Sequence, residues 1–372
     1  MFSDRFNFSP VTTKSERATF RLASSDPGKF AIIINDVKAF VDFDKRYAEF
    51  KVIKPGQIVD LPYNQYQMAF TDYKWNMDKK TIDMTAAEVA GSGTTNVQKN
   101  FFRSIHPEQD SLFFYAGNAT YYLSDYLVVA EKVPYIHTAD ARVIPDSNKV
   151  VIEPNAVMRT LHNSTILADT LKRYHTIVRS DVDILGRKNF RGSGYYSYTD
   201  RTKKVFEIFF ENIGVNKVGR TSASGPITDS MNFTLSPHIQ FKGTATLIST
   251  DRNMEFDGYL LPLHSMNYPK SQWFRHTQRV NPDSVFIKFQ DPRNEEKQQL
   301  YSGIYVSSDS THIYATFFNR KRAWADLALT EGEGVMYYDD KTGELKAGEW
   351  DKFFKGKLIG NGKEQQQTLL AI

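Results

Sequence analysis

Seven times along this chain an aspartate opens a short polar turn and a strand-like apolar pair follows within a few residues. The copies are DKRYAEF from Asp44, DKKTIDM from Asp78, DSNKVVI from Asp146, DRTKKVFEI from Asp200, DRNMEF from Asp251, DSTHIYA from Asp309 and DKTGELKA from Asp340. Aspartate suits the first position of a type I turn because its carboxylate can bond the backbone two residues on. Each copy therefore reads as a β-arc or hairpin feeding a strand. Successive starts are 34, 68, 54, 51, 58 and 31 residues apart, so the phrase recurs without the fixed period of a strict solenoid.

Between the turns, apolar and polar residues alternate. In YAEFKV, Ala48, Phe50 and Val52 share one face while Glu49 and Lys51 take the other. The same alternation places Ile82 and Met84, Ile239 and Phe241, Met254 and Phe256, and Ile313, Ala315 and Phe317 inward. Only Thr85–Ala90 and Arg322–Leu329 offer short helical periodicity. Aromatic residues make up 14% of the chain, with 27 Phe and 20 Tyr, which skews the apolar content toward strand formers. The fold class expected is all-β: stacked strands in an elongated jelly-roll or β-solenoid-like array with little helix. Turn-rich joins at GSGTTNVQKN from Gly91 and VGRTSASGPITDS from Val218 divide it into three β segments, 1–100, 101–220 and 221–372.

Charge and cysteine content exclude several classes of function. The 47 basic and 43 acidic residues are mixed along the chain, so its net charge of +4 makes no long-range field for a polyanion, and nucleic acid is not an expected partner. The absence of cysteine removes disulfides, thiolate nucleophiles and cysteine-ligated metal in one step. It also suits an oxidising bacterial envelope, where stray thiols mispair, although cytosolic proteins can lack cysteine too. The longest apolar run near the start, Phe30–Ile34, is far short of the roughly 18 residues of a membrane helix, and none is expected. MFSDRFNFSP lacks the apolar stretch of a secretory signal, and GELKAGEWDKFFKGKLIGNGKEQQQTLLAI ends on a new strand pair without a polar cap. The first leaves a cytosolic protein or a piece of a longer secreted chain as the two expectations, and the uncapped end favours the piece of a longer chain.

Motifs that carry chemistry are sparse. The eight histidines, at 106, 137, 162, 175, 238, 264, 276 and 312, include no His-x-His and no HExxH, and no metal is expected. Asp181 and Asp183 fall on one face of a strand, but a hard cation wants six to eight oxygens and no acidic glycine-rich loop follows. Glu207 with Glu211, or Asp125 with Glu131, are the acid pairs nearest to a glycosidase arrangement. No nucleophile elbow, Walker loop or dinucleotide fingerprint is present, so neither cofactor nor catalytic residue is assigned. The basic clusters GRKNFR from Gly186 and NRKRAW from Asn319 contain aromatics and are candidates for touching phosphate or a sugar acid, against the plainer reading of basic surface turns. Asn118, Asn163 and Asn232 begin N-x-S/T sequons.

Two stretches resemble known families. KWNMDKKTIDMTAAEVAGSG from Lys74, and the longer cadence SLFFYAGNATYYLSDYLVVAEKVPYIHTADARVIPDSNKVVIEPNAVM from Ser111, resemble the strand–turn–strand phrase of OstA-type domains of lipopolysaccharide transport. That resemblance implies a V-shaped jelly roll whose inner apolar face carries acyl chains. The segment Tyr174–Tyr259 and GIYVSSDSTHIY from Gly303 look like the interior of very large uncharacterised envelope proteins of Bacteroidetes. This likeness implies a place in the periplasm or at the outer membrane of a Gram-negative bacterium and names no activity.

Three functions follow as expectations. The first is a non-enzymatic β scaffold of a large cell-envelope protein, with neighbouring β repeats of the same or another chain as partners. The second is an OstA-like conduit for an amphiphile, lipid or lipopolysaccharide, in which Ile82, Met84, Val150, Ile152, Met254 and Phe256 line the groove if it is open; ordinary core packing explains the same six. The third is a carbohydrate-active β protein using Trp75, Trp273, Trp324 and Trp350 as sugar platforms.

Overall fold

The computed structural model describes residues 1–54, 56–85, 100–265, 270–309 and 312–349, with the backbone of 370–371. Among the described residues there is no α-helix, only four short 3-10 turns between strands, and every registered strand pair is antiparallel. The chain forms two compact units, 1–195 with 212–222, and 196–211 with 223–372.

The first unit grows from one long bent strand. Strand β1 (Asn7–Phe8) pairs with β2 (Thr12–Ala23), and β2 pairs with β3 (Phe30–Asp42). Asp36 takes a positive φ of 46° within β3. On its C-terminal side, Val37–Asp42 pair with β4 (Tyr47–Val52); on its N-terminal side, Ile33 pairs with Asp60 of β5 (Val59–Leu61). The kink thus hands a single strand to two layers. From there the chain adds hairpins to the layers by turns. β5 with β6 (Tyr66–Ala69) opens the second layer, and β7 (Asp72–Asn76) with β8 (Thr81–Thr85) extends the first. β9 (Phe101–Ser104) and β10 (Phe113–Tyr115) return to the second, and β11 (Asn118–Tyr122) and β12 (Leu127–Glu131) to the first. β13 (Ile136–Thr138) and β14 (Ala141–Ile144) join the second layer, β15 (Val150–Ile152) the first, and β16 (Leu161–Ala168) and β17 (His175–Gly186) the second.

Side chains of period two give each layer one buried face. In the first layer the register aligns Ala39, Phe50, Tyr73, Met84, Ala119, Ala130 and Val150 in one row. Beside it run Val41, Ala48, Trp75, Ile82, Tyr121, Val128 and Ile152, and all fourteen but Trp75 are buried. The second layer answers with Val59, Met68, Phe102, Phe114, Ile136, Val143, Ile166 and Ile177. The row between the two in the first layer is polar at its middle: Glu49 meets Lys74 at 3.9 Å, and the Thr120 hydroxyl donates to Asp83 at 2.8 Å.

The second unit continues the antiparallel pattern. β18 (Asn189–Thr199), β19 (Val205–Val215) and β20 (Thr221–Ile227) are each divided between the units. After β21 (Thr234–Ser236), β22 (Ile239–Ile248) and β23 (Met254–Pro262) form a long hairpin that β24 (Phe274–Val280) extends. Gly243 faces Gly258 across this hairpin, where a Cβ on Gly258 would lie 2.1 Å from the Lys242 carbonyl oxygen. β25 (Ile287–Phe289) lies beyond it, followed by β26 (Tyr301–Val306), which pairs on one side with β27 (Ile313–Asn319) and on the other with β28 (Leu327–Glu331). β29 (Gly334–Asp339) pairs with β25 and with β30 (Glu344–Gly348), which pairs with β31 (Leu370–Ala371).

Six of the seven Asp-led phrases fall in the loop between consecutive strands of a hairpin-like pair, and that of Asp146 is a 3-10 turn between β14 and β15. The aspartate acts on its own turn as expected at Asp200 and Asp251, whose carboxylates accept from the N–H of Thr202 and Asn253. In the loops Phe43–Arg46, Met77–Lys80 and Asp340–Gly343 the work is done one or two residues earlier. Asp42, Asn76 and Asp339 accept from the N–H of Lys45, Lys79 and Lys341 at 2.9–3.0 Å. Asp78 instead binds Arg46 of the adjacent loop, and Asp340 binds Arg201.

Five four-residue loops, these three with Pro62–Gln65 and Leu123–Tyr126, all end on a residue of positive φ: Arg46 50°, Gln65 55°, Lys80 53°, Tyr126 54° and Gly343 72°. Only one is glycine, although that conformation costs other residues about 1–2 kcal/mol. In the first unit the left-handed turn aims a carbonyl at the next element. Arg46 accepts from Met77 N–H at 3.0 Å, Lys80 from Leu123 N–H and Gln65 from Ile105 N–H, each at 2.9 Å, and Tyr126 from the Asn64 amide at 2.7 Å. The ladder therefore continues past the strand ends and offsets the strain.

Sequence expectations are corrected at three places, the join at residue 100, Arg322–Leu329 and the start of β27. The join expected at residue 100 separates nothing, because Met68 pairs with Phe102 and Met84 with Ala119 across it; the Gly91 loop itself lies outside the described residues. Arg322–Leu329 is a turn followed by β28, since the Asp326 carboxylate takes the Ala323 N–H at 2.9 Å and closes the loop. The helix expected over Thr85–Ala90 meets a strand at Thr85, and the rest lies outside the described residues. In β27 the alternation runs opposite at its start. Ile313 is exposed while Tyr314 and Thr316 are buried, and a register shift between Tyr301 and Gly303 brings both Phe317 and Phe318 inside.

The left-handed loops give the first testable consequence. Lys80→Val, which puts a β-branched residue at positive φ, is expected to lower the unfolding free energy by about 1–2 kcal/mol, whereas Lys80→Asn leaves it nearly unchanged. Urea denaturation of the two variants reads the difference directly.

Candidate functional site

The six residues assigned to a groove lie in the interiors. Ile82 and Met84 on β8, Val150 and Ile152 on β15, and Met254 and Phe256 on β23 are 0–3% exposed. The Phe256 ring packs against Tyr198, Phe233 and Phe241 with centroids 5.3–5.9 Å away. Ile82 sits between Trp75 and Tyr121, and Met84 between Tyr73 and Ala119. At the loop end of the first unit, the Tyr63 ring packs tilted against Tyr126, with centroids 4.4 Å apart. A guest chain at these positions would have to displace side chains already in contact. Truncating Ile82 or Met84 to alanine is expected to cost about 2–5 kcal/mol by chemical denaturation, the cost of a core cavity. A residue facing an open groove would cost far less.

The acid and histidine candidates are placed apart or already engaged. Asp181 meets His162 Nδ1 at 2.8 Å; Asp183 accepts from Thr160 at 2.6 Å and pairs with Arg191 at 3.0 Å, and these contacts hold its carboxyl below the usual range. Glu207 and Glu211 are exposed on the same strand four residues apart, about 13 Å by strand rise, beyond the roughly 9.5 Å limit of a glycosidase pair. Glu131 bonds Asn118 and Lys149, at the far end of β12 from Asp125. Among the described residues no group of three or more His, Asp or Glu is placed to hold a metal, and no helix is long and apolar enough to cross a membrane.

The GRKNFR cluster is paired with acids: Lys188 binds Asp110 at 2.7 Å and Arg191 binds Asp183. Among the described residues a cavity of about 980 Å³ lies in the second unit between β25 and the start of β29, beside Lys288, Glu331 and Glu333. Glu331 already bonds Lys321 and the Tyr305 hydroxyl, each at 3.0 Å. Of the four tryptophans, Trp75 and Trp273 are half-buried, Trp324 stands in solvent, and Trp350 lies outside the described residues.

His276 is buried on β24, and its surroundings change it strongly. Burial pushes its imidazole down to about 4, so it is neutral in the fold. The unfolded chain takes up this proton near the ordinary value of 6.5, and the fold does so only near 4. Stability is therefore present above pH 6.5 and is lost as pH falls toward 4, by on the order of 3 kcal/mol. His276→Gln should flatten that part of the pH dependence of the urea midpoint.

The outer edge of β2 carries exposed rings beside exposed charges. Residues 2–8 run beside it and pair with its backbone in two places. Phe2 exchanges both backbone bonds with Thr19 at 2.8–2.9 Å, and β1 pairs with Thr13 and Lys14. The Ser3 hydroxyl donates to the Arg17 carbonyl at 2.7 Å. β2 also carries register shifts at three points and the exposed charges of Lys14, Glu16, Arg17 and Arg21, devices that discourage an extended strand from adding. Rings crowd the same edge. Phe2, Phe8, Val11 and Phe43 are exposed, Phe6 lies 5.8 Å from Phe8, and the Arg21 guanidinium sits over Phe2 at 5.7 Å. This edge therefore exposes side chains more than open main-chain groups. Sequence reading missed it because MFSDRFNFSP shows aromatics at positions 2, 6 and 8 without showing which remain exposed.

Comparison with protein families, with curated proteins and with solved structures finds no match to this chain.

Proposed function

We propose that the protein is a non-enzymatic β scaffold of a large cell-envelope protein, with a structural or interaction role. The observation that carries this reading is the way the first unit grows: each hairpin pairs with the one before it in its own layer and presents a fresh edge to the next. Such growth is nearest-neighbour and open-ended, which suits a long structural array. The filled interiors and the engaged acid pairs support it, and the apolar edge at Phe2, Phe6 and Phe8 gives a neighbouring β segment of the same or another chain a place to pack. The cysteine-free composition and the resemblance to Bacteroidetes envelope proteins support a periplasmic or outer-membrane location in a Gram-negative bacterium.

A photo-crosslinking amino acid placed at Phe8 and, as a control, at exposed Lys188 tests this in cells. The scaffold reading expects a specific adduct with a β-rich envelope protein from position 8 only, reduced when Phe2 is changed to serine. Adducts equal at both positions, or none at either, would falsify it.

A further inference from the structure

Four loops of the first unit meet at Asp140. In the turn between β13 and β14, the Ala139 N–H donates to the Arg187 carbonyl of the β17–β18 loop at 2.8 Å, and the Asp140 carbonyl accepts the Thr170 N–H of the β16–β17 loop at 3.0 Å. The Asp140 carboxylate takes the Thr221 N–H at 2.8 Å and the Thr221 hydroxyl at 2.5 Å, which ties in the β19–β20 loop; residues 212–222 belong to the same unit. Two of these loops are also braced from within. Asp169, 6% exposed, accepts the Leu171 N–H at 2.9 Å, and the Asn216 side-chain oxygen accepts the N–H groups of Val218 and Arg220 at 3.0–3.1 Å. Both tips are thus fixed around one residue, and each carries a bare aliphatic side chain. Leu171 is 90% exposed and precedes Lys172 and Arg173; Val218 is 77% exposed, between Lys217 and, past Gly219, Arg220.

The charge at these tips is positive. Lys172, Arg173 and Lys217 have no carboxylate within ion-pair distance among the described residues, and Lys172 lies over the Tyr174 ring at 5.6 Å. Arg220 comes within 3.9 Å of Asp140, whose side chain is only 9% exposed and already holds Thr221. Along the strands that enter and leave the two loops, the next acids are Glu153, Asp181, Glu211 and Asp229, each five or more residues beyond the loop. The exposed acids of the β9–β10 loop, Glu108 and Asp110, meet the β17–β18 loop instead. Asp110 pairs with Lys188 at 2.7 Å, the Gln109 carbonyl takes the Arg187 N–H at 3.0 Å, and a Cβ on Gly186 would lie 3.2 Å from the Glu108 carbonyl oxygen. That corner is balanced, with two cations against two acids. Four cations share the two tips with the buried, occupied carboxylates of Asp140 and Asp169.

We infer that these two tips dock on an anionic lipid bilayer, with Leu171 and Val218 entering the headgroup boundary and Lys172, Arg173, Lys217 and Arg220 meeting lipid phosphates. Cations alone would suit any polyanion, and the aliphatic pair decides between them. Leucine and valine at loop tips offer nothing to a soluble phosphate or sugar-acid chain, whereas burying them in the apolar boundary is favourable and the adjacent cations add attraction to anionic headgroups. Loops already ordered lose little freedom on docking. The inference does not rest on the scaffold reading, since the crosslink at Phe8 reports on the β2 edge and either result can fail alone.

Sedimentation with phosphatidylcholine vesicles containing about one third phosphatidylglycerol tests it, with partition expected to weaken as salt is raised. Leu171→Ser with Val218→Ser should weaken partition about tenfold or more, and Lys172→Gln with Lys217→Gln about 25-fold, from roughly fivefold per cation. All four side chains are exposed, so an unchanged urea midpoint shows that the fold is intact. Because the chain has no cysteine, Leu171→Cys carrying an environment-sensitive dye reads insertion directly. Its emission should shift to the blue with these vesicles, while the same dye at Leu329→Cys, exposed in the other unit, should not respond. Absence of partition, partition that the serine changes leave untouched, or equal dye shifts at both positions overturns the inference. So does binding of soluble polyphosphate by a chain that ignores vesicles.

Discussion

Strand β3 is the constraint on which the first unit depends. Its two halves belong to different layers, and the left-handed backbone at Asp36 makes that possible. A straight strand of thirteen residues would template one sheet, leaving an apolar face with nothing to cover it. With the bend in place, both layers start from the same strand and each hairpin has a paired edge waiting. The Arg17–Asp36 ion pair and the bond from Ile53 N–H to the Asp36 carbonyl hold the corner from outside.

Much of this was legible in the residues. Alternation around Phe50, Ile82, Met84, Phe241 and Phe256 identified strands and their inward faces, because a period of two leaves a clear mark when one face is buried. Turn positions were legible for a related reason, since few residues serve a tight reversal. Which residue of the turn supplies the bond was not. Asp42, Asn76 and Asp339 sit on the last strand residue, where nothing in DFDKR or NMDKK distinguishes the side chain that turns back from the one that turns away. The alternation between layers also left no trace, because inward-facing rows of either layer have the same composition.

The surfaces were least legible. Ile313 carried the alternation of a core residue, and only the register shift in β27 with the Tyr314–Asp326 bond turns it outward. Trp324 looked like helix or sugar platform by type, and its exposure follows from a carboxylate two residues further on that gathers the loop beneath it. In both cases a long-range partner overrode a local pattern.

Hairpin alternation also bears on how such a chain can change length. Removing one hairpin, β7 with β8 for instance, would leave β6 and β9 paired as they are but make one layer narrower than the other, stranding the facing row of Met68, Phe102 and Phe114 against water. Inserting one would do the same with the layers exchanged. Viable descendants would gain or lose hairpins two at a time, one for each layer, so the evolutionary currency of this architecture is a four-strand block.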